Sequence, residues 1–340
     1  MIPARPSTAR RVVRAVAWAA IIASFPVWFA AFLVVPFLPL SAAQKAGVAA
    51  ACIAAGEALF WSAGFVLGAE VVAKFRAPNV RTGASFRGKR VAVIGATGGL
   101  GEAVARAVHR EGGSLVLLAR DASRLRPLAD ELGAQGVVAD LSPESLRSAA
   151  SEIATVDHVV CATGVDVRRS LDAHSDDDVQ RQIDVALSGP VHVARSFLGK
   201  LEAGGTIALF GGFADGTLAL PYYSVDVAAR AGLAGFCEAV NLELAVEGRD
   251  ERLCYVCPLP ADTAAERPFK DLWSSMGTTM VSPQAVADFV LGALLSKKTV
   301  AVMGFTTRAL VRLRAIAPSL VALFVVRSLG PKLRRAFGAR

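Results

Sequence analysis

A doubly wound, mostly parallel α/β sheet is the fold class predicted for the larger part of this 340-residue sequence. Two observations predict it. Between residues 90 and 303, seven short apolar runs alternate with helical patterns, which is how a covered parallel sheet reads. A glycine cluster, Gly95-Ala-Thr-Gly-Gly-Leu-Gly101, stands between the first run and the helix after it. Around that core the sequence predicts a two-helix apolar hairpin over 1–75, a basic linker over 76–89 and a basic amphipathic tail over 304–340.

The hairpin comes first. Residues 15–40 carry no charge, and a second apolar run covers 46–73 after the short link SAAQK. Each is long enough for a hydrocarbon core of about 30 Å. A cleaved signal peptide fits poorly, because the apolar region is too long and a second one follows at once. Four arginines precede the pair, Lys45 alone lies in its loop, and six cations follow between Lys74 and Arg90. The positive-inside rule then predicts a multi-pass anchor in the inner membrane, with both ends and the remaining domain in the cytoplasm. Glu57 and the spacing Gly64-xxx-Gly68 suit a polar contact and a close helix approach in the second run.

Net charge is +8 and mean hydropathy +0.47, but the charge is unevenly spread. No acidic residue precedes Glu57 or follows Asp288, so the surplus is terminal and suits an anionic membrane surface. No zinc-finger spacing or basic–aromatic stripe argues for nucleic acid, and none is expected as a partner. The five cysteines have no disulfide-framework spacing, and Cys254 and Cys257 stand three apart on a predicted strand, facing opposite sides. No metal site is predicted.

In the central domain RVAVIGA is a strand, ATGGLGEAVARAVHREGG its helix, and SLVLLAR the second strand. VVAD, DHVVCATG, TIALF, RLCYVC and TVAVMG follow, with helices between them, including one long helix over about 175–201 and one opened by Tyr222 and Tyr223. Gly95 permits the tight turn after the first strand. Gly99 admits a pyrophosphate to the backbone, and Gly101 allows close packing of helix on sheet. The helix N-terminus then offers free N–H groups to phosphate. A cation at the end of the second strand suits the 2′-phosphate of NADP, whereas an acid suits the ribose of NAD. Arg120 stands there, with Arg124 nearby, so NADP is expected over NAD.

With these residues in place, 88–303 resembles a short-chain dehydrogenase/reductase, a Rossmann-fold family. The family's TGxxxGxG stands here as IGATGGLG, placing Gly95, Thr97, Gly99, Leu100 and Gly101 at the cofactor. The resemblance further implies adenine contact by Asp140, a cofactor-side Gly164 in CATG, and Thr263 near the nicotinamide amide. The family's chemistry uses a tyrosine acid, a lysine four residues on, a serine about thirteen residues before and an asparagine on an earlier helix. Tyr223 matches the first, but Val227, Phe210 and Ala186 occupy the other three positions. Tyr222 offers no better register, since Asp226 lies one turn beyond it. Arg230, two turns beyond Tyr223, is the nearest cation along that helix.

The tail, VRLRAIAPSLVALFVVRSLGPKLRRAFGAR, alternates arginines with apolar residues around a run too short to span a bilayer. An interfacial helix is expected; covering the sheet or a second copy in a homo-oligomer is the alternative. The activity implied is NADP-dependent oxidation or reduction of a hydrophobic, lipid-like carbonyl or alcohol at a membrane. Three replaced catalytic positions keep open a non-catalytic scaffold or sensor that binds NADP(H).

Overall fold

The computed structural model describes residues 8–76, 86–213, 216, 218–296 and 298–338. The chain folds as two compact units, 1–77 and 78–340. Most of the predicted linker, 77–85, lies outside the described residues.

The first unit is a helical hairpin of α1 (Thr8–Leu33) and α2 (Ala42–Arg76). The two helices meet closely at Gly56, where a Cβ would stand 2.3 Å from Cδ1 of Trp28. The Trp28 indole donates to the Ile53 carbonyl at 3.3 Å and lies beside Phe60, ring centres 5.7 Å apart. Among the described residues no helix is long and apolar enough to cross a membrane. The hairpin is therefore present as helices, while two membrane spans are not established. Glu57 is exposed on α2, and the surroundings of Gly64 and Gly68 lie outside the described residues.

The second unit runs in order β1 (Arg90–Ile94), α3 (Gly99–Arg110), β2 (Ser114–Ala119), α4 (Ala122–Leu132), β3 (Gln135–Val138), α5 (Pro143–Glu152) and β4 (Val156–Cys161). It continues through α6 (Asp176–Ile183), α7 (Gly189–Phe197), β5 (Leu201–Phe210), α8 (Ser224–Val246), β6 (Arg252–Cys257), α9 (Lys270–Ser275), α10 (Pro283–Leu295) and β7 (Val300–Val302). It closes with α11 (Phe305–Ile316), α12 (Pro318–Phe324) and α13 (Gly330–Phe337). The seven strands pair in the order β3-β2-β1-β4-β5-β6-β7, every pair parallel. The order reverses between β1 and β4, and the crevice beyond their carboxyl ends is where such sheets bind ligands.

Strand alternation builds two cores. Val91, Val93, Leu115 and Leu117 face the layer of α3, α4 and α10, while Ala92, Ile94, Val116 and Leu118 face that of α5, α7 and α8. Cys254 and Cys257 fall in opposite layers, as their spacing on β6 requires.

One predicted element breaks. The long helix over 175–201 is α6, a π-helical turn over Asp184–Ser188, then α7. Pro190 has no N–H to return to the preceding turn, and the wider turn accommodates that loss.

Candidate active site

At the carboxyl end of β1, Gly95 takes a left-handed φ of +79° and reverses the chain. Its N–H and that of Ala96 both donate to the Leu118 carbonyl of β2, at 2.9 and 3.1 Å. The turn then enters α3 at Gly99. A Cβ on Gly101 would stand 2.1 Å from the Gly95 carbonyl oxygen, so only glycine fits. The first N–H groups of α3 have no partner within the helix and open toward the crevice. Thr263, in the loop after β6, lies over this turn; a Cβ on Gly99 would meet its methyl at 2.9 Å. Arg124 of α4 donates to the Thr97 carbonyl at 2.5 Å.

A cavity of about 740 Å³ begins at this turn, with Thr97, Gly98, Gly99, Leu100 and Arg124 on its wall. It continues past Gly164 and Thr263 to Phe210, Tyr223 and Val227. The structure therefore gathers most of the predicted site residues around one space. Gly95 and Gly101 shape the turn from behind. Arg120 is exposed and absent from the wall, and Arg124 stands in its place. Asp140 is likewise off the wall; one carboxylate oxygen accepts from the N–H and hydroxyl of Ser142, at 2.9 and 2.6 Å. Ala186 is buried in the π-helical turn and does not line the cavity.

Tyr223 precedes the first turn of α8 and is 6% exposed. Its neighbour Tyr222 holds a left-handed φ of +69°, a conformation that costs a non-glycine residue on the order of 1–3 kcal/mol. That turn aims the Tyr222 carbonyl at the Arg169 N–H, which donates to it at 3.1 Å. The loop after β4 is thereby tied against the tyrosines. Among the described residues, the Tyr223 hydroxyl is buried without a hydrogen-bond partner. Burial pushes its pKa above the usual phenol value; Arg168 pulls it back, and Asp166, Glu266 and Asp226 add to the rise.

The charges beside Tyr223 are mostly ones that spacing alone did not single out. Arg168 is the nearby cation, with its guanidinium carbon 5.4 Å from the Tyr223 ring centre. Arg230, the cation expected along α8, is engaged elsewhere: Nε donates to Asp226 at 2.7 Å and Nη2 to Asp166 at 3.1 Å. Burial pushes the Asp226 carboxyl up to about 6, against the pull of Arg230 and with the charge of Asp166 adding to the rise. Asp166 is also pushed up by burial, but Arg230 and Arg168 outweigh that and hold it below the usual carboxylate range. Glu266 accepts from Arg168 and, at 2.7 Å, from the Trp273 indole. Asp226 and Arg230, four apart on one helix, were a legible ion pair. Arg168 and Glu266 come from separate loops, and no local pattern announces their meeting.

The tail closes the apolar end of the site. Val321, Val325, Leu329 and Leu333 form a cluster with Leu218 and Tyr223. Phe337 meets Tyr223 edge-on, with ring centres 5.9 Å apart, and lies 5.5 Å from Phe269. Lys332 donates to the Ser275 carbonyl at the end of α9. The opposite side of the tail stays exposed, at Ile316, Leu320, Leu323, Phe324 and Val326.

The family model for short chain dehydrogenases matches residues 89–271. A dehydrogenase/reductase SDR family member 7B from Bos taurus is 30% identical over 271 residues, 71% of this chain and 81% of that protein. Among solved structures, a short chain dehydrogenase from Burkholderia cenocepacia in complex with NADP superposes with a TM-score of 0.63. It is 21% identical and covers 71% of this chain and 99% of its own. The actinorhodin polyketide ketoreductase with NADPH gives 0.56 at 23% identity, over 63% of this chain and 94% of its own. At these identities the two structures speak for the fold.

Proposed function

The chain belongs to the short-chain dehydrogenase family, and on that premise we propose that it is an NADP(H)-dependent oxidoreductase acting on a hydrophobic carbonyl or alcohol. The observation that carries this reading is the continuous cavity, which joins a glycine turn and Arg124 at one end to Tyr223 at the other, where aromatic and aliphatic side chains share the wall with a cluster of charged ones. The turn fits a dinucleotide, because Gly98, Gly99 and Leu100 line the cavity at the start of α3 while Gly101 lets the helix pack closely behind them. Thr97, Gly98, Gly99 and Leu100 would hold the pyrophosphate, with Gly164 and Thr263 beside the nicotinamide. Arg124, with Arg120 exposed just beyond the end of β2, would face the 2′-phosphate. The bound nucleotide supplies or accepts a hydride.

NADPH is expected to bind the full chain at least tenfold more tightly than NADH in a fluorescence titration. Arg124→Ala should erase most of that preference and Arg120→Ala less, since Arg124 is the one on the cavity wall. Equal affinity for both nucleotides would overturn the NADP assignment, and binding of neither would overturn the oxidoreductase reading.

Val227, Phe210 and Ala186 favour a second reading, a nucleotide-binding scaffold or sensor without turnover. Nucleotide binding with no reduction of any apolar carbonyl would select it.

Membrane attachment belongs to the same proposal, with the second unit on the cytoplasmic side of the inner membrane. It is supported by large apolar residues exposed on the hairpin, among them Phe29, Phe32 and Phe37, and on the tail. The full chain should sediment with membranes after extraction at alkaline pH. Release into the supernatant would sink the attachment while leaving the chemistry untouched.

A further inference from the structure

Arg168 occupies a position that structure alone does not explain. Its side chain is 5% exposed, and its guanidinium lies 4.4 Å from the Phe269 ring centre, 5.4 Å from Tyr223 and 5.9 Å from Trp273. Both of its carboxylate partners are met by one nitrogen: Nη2 donates to Asp166 at 2.7 Å and to Glu266. Among the described residues, Nε and Nη1 are buried with no hydrogen-bond partner, as is the Tyr223 hydroxyl. An arginine carries five N–H donors, so three of them are unpaired here, each costing about 1–3 kcal/mol if left so. A purely structural charge would be expected to satisfy its fork. Arg168 and Tyr223 line the same cavity.

Charge accounting decides what could fill that space. Among the described residues, Asp166, Asp226 and Glu266 stand against Arg168 and Arg230, three acids to two cations. The cluster has no positive charge to spare, so a carboxylate or phosphate entering beside Arg168 would meet net repulsion. A neutral oxygen would not. It would accept from guanidinium N–H groups and desolvate at little cost. The surrounding walls, Phe213, Leu218, Leu220, Phe269 and Trp273, are apolar or aromatic.

We propose that Arg168 is the substrate-binding cation of this site: Nε and Nη1, together with the Tyr223 hydroxyl, hold the oxygen of a neutral carbonyl whose apolar body lies against Phe269 and Trp273. This deepens the oxidoreductase reading and rests on it for the carbonyl's fate, though not for its binding. Arg168 thereby does the work of two replaced positions. It supplies the oxygen-directed donor that Phe210 cannot, and the positive charge near Tyr223 that Val227 cannot. It comes from the loop after β4 rather than from α8, held there by the Arg169–Tyr222 hydrogen bond.

The test is equilibrium binding to the full chain, read by tryptophan fluorescence with a Trp273→Phe control, with and without NADP⁺. Three probes share one aromatic body: 4-phenyl-2-butanone, the carboxylate 3-phenylpropanoate and the hydrocarbon butylbenzene. The ketone is expected to bind at least about tenfold more tightly than either of the others, the scale of one or two charge-assisted hydrogen bonds. Arg168→Lys keeps the charge and the fold but loses the fork, and it should remove most of that preference. The double variant Arg168→Met with Glu266→Gln keeps the charge balance and should abolish it. NADP⁺ affinity should be unchanged in both. A ketone preference that survives in Arg168→Lys and in the double variant overturns the proposal, as does a wild-type preference for the carboxylate. Failure of the oxidoreductase reading is a separate result: the ketone preference would stand while NADP⁺ failed to bind.

Discussion

Replacing Tyr223 with phenylalanine is expected to lower NADPH-dependent carbonyl reduction by about 10²–10⁴-fold, the usual worth of a positioned general acid. The ring would stay in its cluster with Phe337 and Leu333, and the lost hydroxyl has no partner to strand. Thermal stability and NADPH affinity should therefore hold, which separates lost chemistry from lost structure. The direction of catalysis follows from the same hydroxyl. Burial and three carboxylates keep Tyr223 above the usual phenol range, with Arg168 opposing them, so it is protonated throughout the neutral range. Reduction needs that proton: hydride reaches the carbonyl carbon, the oxygen takes up the electron pair, and Tyr223 donates to it. Oxidation needs the phenolate, which is scarce at neutral pH. The wild-type protein should thus reduce ketones at pH 7, while alcohol oxidation rises about tenfold per pH unit well into the alkaline range. Unchanged turnover in Tyr223→Phe would place the chemistry elsewhere, and an alcohol oxidation optimum near pH 7 would overturn the protonation argument.

The fold was legible because its signals are local. Apolar runs such as Val91–Ile94 and Leu115–Ala119 announce strands, and the Gly95 turn announces what lies at their ends. The site was legible only along α8, where Tyr223, Val227, Asp226 and Arg230 have fixed helical spacing. Arg230 is the nearest cation to Tyr223 along α8, but helical spacing does not show that Asp166, from a different segment, shares it with Asp226. Arg168 was missed for the converse reason. Nothing in GVDVRR shows that a left-handed Tyr222 will tie this loop to α8. The tail carried a stripe in plain view, Val321, Val325, Leu329 and Leu333, spaced by four. Periodicity reveals that such a stripe is buried, but not what it covers. Here it covers Tyr223, so apolarity read as a membrane surface belongs in part to the wall of the site.

Arg230→Met is expected to destabilise the second unit by about 3–5 kcal/mol near pH 7.5, the scale for removing one member of a buried charge cluster. Arg230 is 8% exposed and the Tyr255 hydroxyl donates to its backbone carbonyl at 3.1 Å. Gly212, at φ +72°, leaves the guanidinium room, since a Cβ there would stand 2.7 Å from it. Without the arginine, the carboxyl groups of Asp166 and Asp226 would stand buried side by side with the bridging charge gone, and at least one would have to take up a proton. The folded state would then bind more protons than the unfolded state, so stability falls as pH rises, by up to about 1.4 kcal/mol per unit for one group. The loss should accordingly be smaller at pH 5 than at pH 7.5, as read from denaturant unfolding at both values. Adding Asp226→Asn should restore much of it, because neutralising the second member removes the stranded charge rather than another bond. If Arg230→Met cost the same at both pH values, packing alone would account for the loss. If it cost almost nothing, Arg230 would not be holding the two acids together, and the charge balance that leaves Arg168 to a neutral oxygen would fall with it.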